Sequence, residues 1–171
     1  MRWQDEDGWY GLAGGAVRAG RPQLSRVLPR LLIGEYPNPG DVAWLRDTHG
    51  VSAVLSLQDE ADLASKRLRV PALVRACVDA GLTLHREPIP DGESEVLARR
   101  LPAVVAMLRG LLDAGACVYL HCNAGYNRAP TVAIAYVHRH QGLALDDATA
   151  FVKARRSCVP YVSALRACYA A

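Results

Sequence analysis

Cys122 and Arg128 stand at the two ends of the run Cys122-Asn123-Ala124-Gly125-Tyr126-Asn127-Arg128, between a strand-like and a helix-like segment. That pairing suits attack on a phosphate monoester. Successive N–H groups of Asn123 to Arg128 can converge on one concavity, a nest for an anion, reinforced by the positive end of a helix that begins near Arg128. The same field favours a thiolate at Cys122, a nucleophile able to form a phosphocysteine. Arg128 offers a planar fork for two phosphate oxygens, which Lys cannot match. Gly125 permits a backbone bend at positive φ. The expected phosphate-binding set is therefore Asn123, Ala124, Gly125, Tyr126, Asn127 and Arg128, and a phosphate or sulfate ion is an expected occupant.

The leaving alcohol needs a proton, and Asp91 is the candidate donor. It lies in the turn-rich run Pro88-Ile89-Pro90-Asp91-Gly92, after a candidate strand. Glu87, Glu93 and Glu95 are its competitors. His121 is expected to support the loop by hydrogen bonding rather than to act as a base, with Thr131 as a second supporting residue. A Cys and an Arg at this spacing are weak evidence alone in a chain with five Cys and 18 Arg. His121 and Gly125 at fixed offsets, with a strand before and a helix after, make the pattern specific.

The elements that must position these residues alternate. Leu31-Leu32-Ile33 is a short apolar run, and a helix is expected from Asp41 to Gly50. Val51 to Leu57 reads as a buried strand, closed by the charged stretch Asp59 to Asp62. Val70 to Ala80 has helical spacing, and Leu82 to His85 is a further strand. A helix from Ser94 to about Ala114 carries Pro102, expected to break or kink it. Ala116 to His121 is a strand pattern, and helices are expected over Ala129–His140, with Pro130 in the first turn, then Asp146–Arg156 and Tyr161–Ala170. Lys66 to Arg69 and Arg99-Arg100 read as solvated helix faces. The fold class is α/β: a single central, mostly parallel sheet flanked by helices, with the phosphate-binding loop between a strand and a helix.

A chain of 171 residues, 51% hydrophobic, holds one domain. The Gly-rich first stretch, with Trp3, Trp9 and Tyr10, reads as an arm over 1–24, and the domain as 25–171. A net charge of +3 predicts no nucleic-acid partner. No apolar run is long enough for a membrane span, and the acidic start is unlike a signal peptide, so the expected location is cytoplasmic. Five cysteines without a C-x-x-C pair suggest reduced thiols, no metal site and no cofactor.

His121-Cys122 through Arg128 resembles the signature of the cysteine-dependent phosphatases, and the chain length that of their dual-specificity branch. The resemblance covers about residues 25–171. Leu28 to Gly34 is similar to that family's opening strand and Val51 to Leu57 to its next core strand, while Asp91 falls at the general-acid position. Cys122-Asn123-Ala124-Gly125 with Arg128-Ala129-Pro130, and later Arg156 to Pro160, look most like the glucan phosphatases, the plant starch phosphatases and laforin. Those have a long aliphatic residue and Gly where this chain has Tyr126 and Asn127, and an aromatic where it has Gly92. The resemblance implies hydrolysis of phosphomonoesters, with phosphoproteins (Tyr and Ser/Thr) as the leading substrate, phosphoglucan as the alternative, and phosphoinositide or RNA 5′-triphosphate behind them. Much of the family has Ser or Thr after the Arg to stabilise the departing thiolate. Ala129 stands there, which implies slow breakdown of the phosphocysteine. The competing readings are a catalytically idle phosphate-binding module and a redox-sensing thiol at Cys122, with Cys77, Cys117 or Cys158 as resolving partner.

Overall fold

Strands with large aliphatic side chains on both faces need cover on both sides, and the chain supplies it. The computed structural model describes residues 18–170. It contains β1 (Leu24–Leu28), β2 (Leu31–Gly34), α1 (Val42–His49), β3 (Ala53–Ser56), α2 (Glu60–Ser65), α3 (Val70–Ala80), β4 (Thr83–Arg86), α4 (Ser94–Asp113), β5 (Val118–His121), α5 (Arg128–His140), α6 (Leu145–Lys153) and α7 (Val162–Tyr169). The five strands run in the order β1-β2-β5-β3-β4. Only β1 is antiparallel to its neighbour; β2, β5, β3 and β4 are mutually parallel.

Period-two alternation divides the sheet's side chains between two cores. Leu31, Ile33, Ala53, Leu55, Val118 and Leu120 face a cluster completed by α4, α5, α6 and α7. Leu32, Val54 and Tyr119 face a smaller cluster built with α1 and α3. The parallel register sets Gly34 and Ser56 on either side of His121. Three strands therefore end level with one another immediately before Cys122, where ligands of open α/β sheets bind.

Several expectations from sequence are corrected. The opening strand over Leu28–Gly34 is instead the second half of a hairpin: Pro29 and Arg30 make the turn, and β1 lies before them. The Asp59–Asp62 stretch opens a helix, α2, because Asp59 accepts from the Asp62 N–H while Asp62 accepts from the Asp59 N–H, a reciprocal cap. Lys66 to Arg69 follow α2 as a turn rather than a helix face, and Lys66 is buried. The last strand before the Pro-rich loop is shifted one residue, to Thr83–Arg86.

α4 runs unbroken through Pro102. Proline takes a donor from the carbonyl four residues back, and here the Cys168 thiol donates to that carbonyl, Ala98 O, at 2.9 Å. Arg18 is buried. Its guanidinium meets Asp41 at 2.5 Å and donates to the Tyr36 carbonyl, so residues just before β1 are fastened to the domain. Trp3, Trp9 and Tyr10 lie outside the described residues.

Candidate active site

The loop from Cys122 to Arg128 leaves β5 and enters α5. Each of its carbonyls is held from outside. Asn123 O accepts from the Tyr36 N–H at 2.9 Å and Tyr126 O from the Val159 N–H at 2.9 Å. Arg156 donates from Nη2 to Ala124 O at 2.9 Å and from Nε to Gly125 O at 2.6 Å. Asn127 O accepts from the Thr131 hydroxyl at 2.7 Å. A peptide N–H points away from the carbonyl of the same unit, so these bonds turn the N–H groups inward. Those of residues 124–127 have no acceptor among the described residues. Donors left this way are met by an anion or water.

Gly125 sits at φ +62°, and a Cβ there would lie 2.4 Å from the Gly34 carbonyl carbon. Glycine is thus required twice over, for the backbone conformation and for the close approach of the loop to the end of β2.

Arg128 is buried, 1% exposed. Its Nη1 donates to Asp62 Oδ2 at 2.6 Å and to Ile89 O at 2.7 Å, and its Nη2 to Asp62 Oδ1 at 3.3 Å. Nε is buried with no hydrogen-bond partner; Asp91 Oδ1 stands 3.4 Å from it. Asp62 also accepts from Asn123 Nδ2 at 2.6 Å. One carboxylate therefore holds both the start and the end of the loop. Burial alone would raise the Asp62 pKa, but the hydrogen bond and charge of Arg128, with the Asp59 contacts, bring it below the usual value.

His121 is buried, and its Nδ1 donates to Cys122 O at 3.0 Å. Burial, with the nearby arginines, pushes its pKa down to about 4, so it is a neutral support for the loop near pH 7. Thr131, buried, donates its hydroxyl hydrogen bond to Asn127 O and accepts from the Tyr161 N–H at 2.8 Å. That hydroxyl is committed away from Cys122. Asp91 lies across the cavity from the loop, with its side chain half exposed. The space between them, about 40 Å³, is lined by Asp91, Cys122, Asn123, Ala124, Tyr126 and the residues up to Arg128. A wider groove of about 650 Å³, flanked by Glu35, Arg155 and Arg156, adjoins it at Ala124 and Tyr126.

The structure thus brings Cys122, Arg128 and Asp91 to one cavity. Glu87 is turned away into an ion pair with Arg100. Sequence reasoning missed Asp62, Arg156 and Gln58, whose Nε2 donates to Asn123 Oδ1 at 2.8 Å. The Asp-x-x-Asp spacing of a helix cap was the available signal for α2 and so for Asp62. Lys66 is a further buried charge; burial, opposed by Asp62 and Glu35, brings its pKa down to about 8. Among the described residues no group of His, Cys, Asp and Glu has the arrangement of a metal site.

Residues 39–166 match the family model "Dual specificity phosphatase, catalytic domain". The chain belongs to that family. Mouse (Mus musculus) laforin is 31% identical over 146 residues, covering 79% of this chain and 44% of laforin. The amyloplastic phosphoglucan phosphatase DSP4 of Castanea sativa is 33% identical over 159 residues, covering 89% of this chain and 42% of that protein. The chain thus spans less than half the length of either relative. The crystal structure of the human tyrosine phosphatase-like serine/threonine/tyrosine-interacting protein has the same fold, with a TM-score of 0.69 at 24% identity over 84% of this chain and 93% of that one.

The His121 environment makes stability depend on pH. Its folded pKa of about 4 lies below the ordinary value of about 6.5. Between the two, the unfolded chain holds a proton that the folded chain does not, so this contribution is complete above pH 6.5 and is lost as pH falls towards 4. Asp62 adds the same sign in a lower window: full above the usual carboxylate value, and lost as pH drops through its depressed folded value. Urea unfolding at pH 6.5 and 5.0 should show His121→Gln losing about 2 kcal/mol less than the wild type. Equal losses in the two proteins would contradict the buried neutral imidazole.

Proposed function

We propose that this chain hydrolyses phosphomonoesters through a phosphocysteine intermediate, with Cys122 as nucleophile, Arg128 as phosphate clamp and Asp91 as acid and then base. The observation that carries the reading is the buried Arg128 Nε, which has no hydrogen-bond partner, set in one cavity with Cys122 and a loop whose carbonyls all face outward. A phosphoryl group satisfies those donors together. Its oxygens accept from loop N–H groups and from Nε and the remaining Nη2 hydrogen, while Asp62 and Ile89 keep Nη1 in place.

The Cys122 thiolate attacks phosphorus, forming S–P as the ester P–O bond breaks, and the proton for the leaving oxygen comes from the Asp91 carboxyl. Water then attacks the phosphocysteine. It loses a proton to Asp91, the S–P bond breaks, and thiolate and inorganic phosphate separate. No cofactor enters either step. With Ala129 after the arginine and the Thr131 hydroxyl engaged elsewhere, neither position gives the departing thiolate a hydroxyl donor, and the second step is the slower one.

Phosphoproteins are the proposed substrates. The small cavity, rimmed by the exposed Tyr126, accepts a phosphoryl group on a short seryl or threonyl side chain as well as on tyrosine. A phosphoglucan is the second reading, favoured by the two relatives described above. A cytoplasmic setting fits five free thiols, one of them the nucleophile, and no helix among the described residues is long and apolar enough to cross a membrane.

Phosphate release from a phosphotyrosine peptide and from a soluble phosphoglucan, compared as kcat/KM against a Cys122→Ser blank, tests both parts. A higher value for the peptide is expected; a higher value for the glucan would replace the substrate reading, and equal rates for wild type and Cys122→Ser would overturn the enzyme reading. Rapid mixing with an aryl phosphate should give a burst of phenol equal to the enzyme concentration. A linear trace would place the slow step before phosphocysteine breakdown.

A further inference from the structure

Asp91 is an exposed loop residue whose Oδ1 accepts from the Gly92 N–H of its own turn at 3.1 Å and stands 3.4 Å from Arg128 Nε. A further contact comes from 70 positions later in the chain. The Tyr161 hydroxyl donates to Asp91 Oδ1 at 3.1 Å and accepts from the Gly92 N–H at 2.9 Å. The phenol therefore grips the side chain of Asp91 and the backbone just after it. Tyr161 is itself tied to the phosphate loop, because its N–H donates to the Thr131 hydroxyl, which donates to Asn127 O. Two residues before Tyr161, Val159 bonds the same loop twice: its N–H reaches Tyr126 O, and its carbonyl accepts from Asn127 Nδ2 at 2.6 Å. Besides its ion pair with Arg128, Asp91 is thus connected to the loop that carries Cys122 through the Tyr161 side chain.

We infer that Tyr161 is a positioning residue for proton transfer: it fixes the rotamer of Asp91 and assigns different tasks to its two oxygens. The inference rests on the proposed phosphatase reading and deepens it. Every contact to the Asp91 carboxylate is made by Oδ1, from Tyr161, Gly92 and Arg128, while Oδ2 has no partner among the described residues. A phenolic O–H on Oδ1 makes that oxygen the acceptor, so in the acid form the proton resides on Oδ2. As the ester P–O bond breaks, the Oδ2 proton passes to the leaving oxygen. The carboxylate that results is stabilised through Oδ1 by the Tyr161 hydrogen bond, which is stronger to a charged acceptor than to a neutral one. The second step reverses the transfer, with water giving its proton to Oδ2.

Tyr161→Phe removes the hydroxyl and keeps the ring, which packs against the main core. The test is kcat/KM, which covers events up to phosphocysteine formation and so is independent of its slow breakdown. Two esters are compared: phenyl phosphate, whose leaving group needs the proton, and 2,4-dinitrophenyl phosphate, whose leaving group does not. Tyr161→Phe is expected to lose about 10-fold on phenyl phosphate, the order of one hydrogen bond to a charged group, with less than a twofold change on the dinitrophenyl ester. Asp91→Asn should show the same selectivity more strongly, and adding Tyr161→Phe to it should cost nothing further.

Equal losses on both esters would overturn the inference, since a merely structural tyrosine affects all substrates alike. No loss on either would overturn it too. If Asp91→Asn spares phenyl phosphate while Cys122→Ser is inactive, the assignment of Asp91 fails and the inference fails with it, whereas the phosphocysteine chemistry stands.

Discussion

A guanidinium sealed from water is costly unless its charge and its donors are matched, and the buried carboxylate that matches Arg128, beside the Ile89 carbonyl, is Asp62. The pair is bidentate, and the same carboxylate takes the side-chain amide of Asn123. Because Asn123 opens the phosphate loop and Arg128 closes it, Asp62 determines the distance between the loop's ends. The helix that presents Asp62 is short and held by its own reciprocal cap with Asp59. The orientation of the guanidinium depends on this pair, and the inward N–H groups depend in addition on the bonds that Tyr36, Arg156, Val159 and Thr131 make to the loop carbonyls.

Around that closed loop the fold provides three outer supports. The level ends of β2, β3 and β5 bring Gly34 against Gly125 and put His121 beneath the Cys122 carbonyl. Arg156 and Val159, between α6 and α7, take the carbonyls of Ala124, Gly125 and Tyr126. Tyr161 extends the same segment to Asp91. The cavity is lined by Asp91 and by residues of one seven-residue loop, while the loop's conformation is determined by residues scattered from Gly34 to Tyr161. This is the usual division in α/β sheets between a rigid scaffold and a loop at the strand ends.

The loop itself was legible in the sequence because its chemistry is local. A cysteine, a bend-permitting glycine, an arginine and a helix start follow one another at fixed spacing, between an apolar strand and a helix. The core strands were legible for a similar reason, since runs such as Val54-Leu55 and Val118-Tyr119-Leu120 satisfy no environment except a covered sheet. Asp91 stood out through its turn chemistry, but its contact with Tyr161 did not, because a hydrogen bond spanning 70 positions leaves no periodic trace. Asp62 was overlooked for a different reason: a stretch dense in acidic residues looks solvated, and only burial against Arg128 distinguishes one carboxylate from its neighbours. The apolar run Leu31-Leu32-Ile33 marks β2, whereas the resemblance presents Leu28–Gly34 as one strand although the turn at Pro29-Arg30 divides it; Pro102 misled because a thiol from α7 compensates for the missing donor.

The central claim is that Asp62 builds the phosphate site by holding both ends of its loop. Inorganic phosphate binding to Cys122→Ser, with and without Asp62→Asn, measured by titration calorimetry below both melting temperatures, tests it most directly. The account predicts that Asp62→Asn weakens phosphate binding by about 10-fold or more, the order expected for a lost charge-assisted bond, even though it removes a negative charge from beside the site. Unchanged or tighter binding would mean that the loop keeps its shape without Asp62, and would contradict the account.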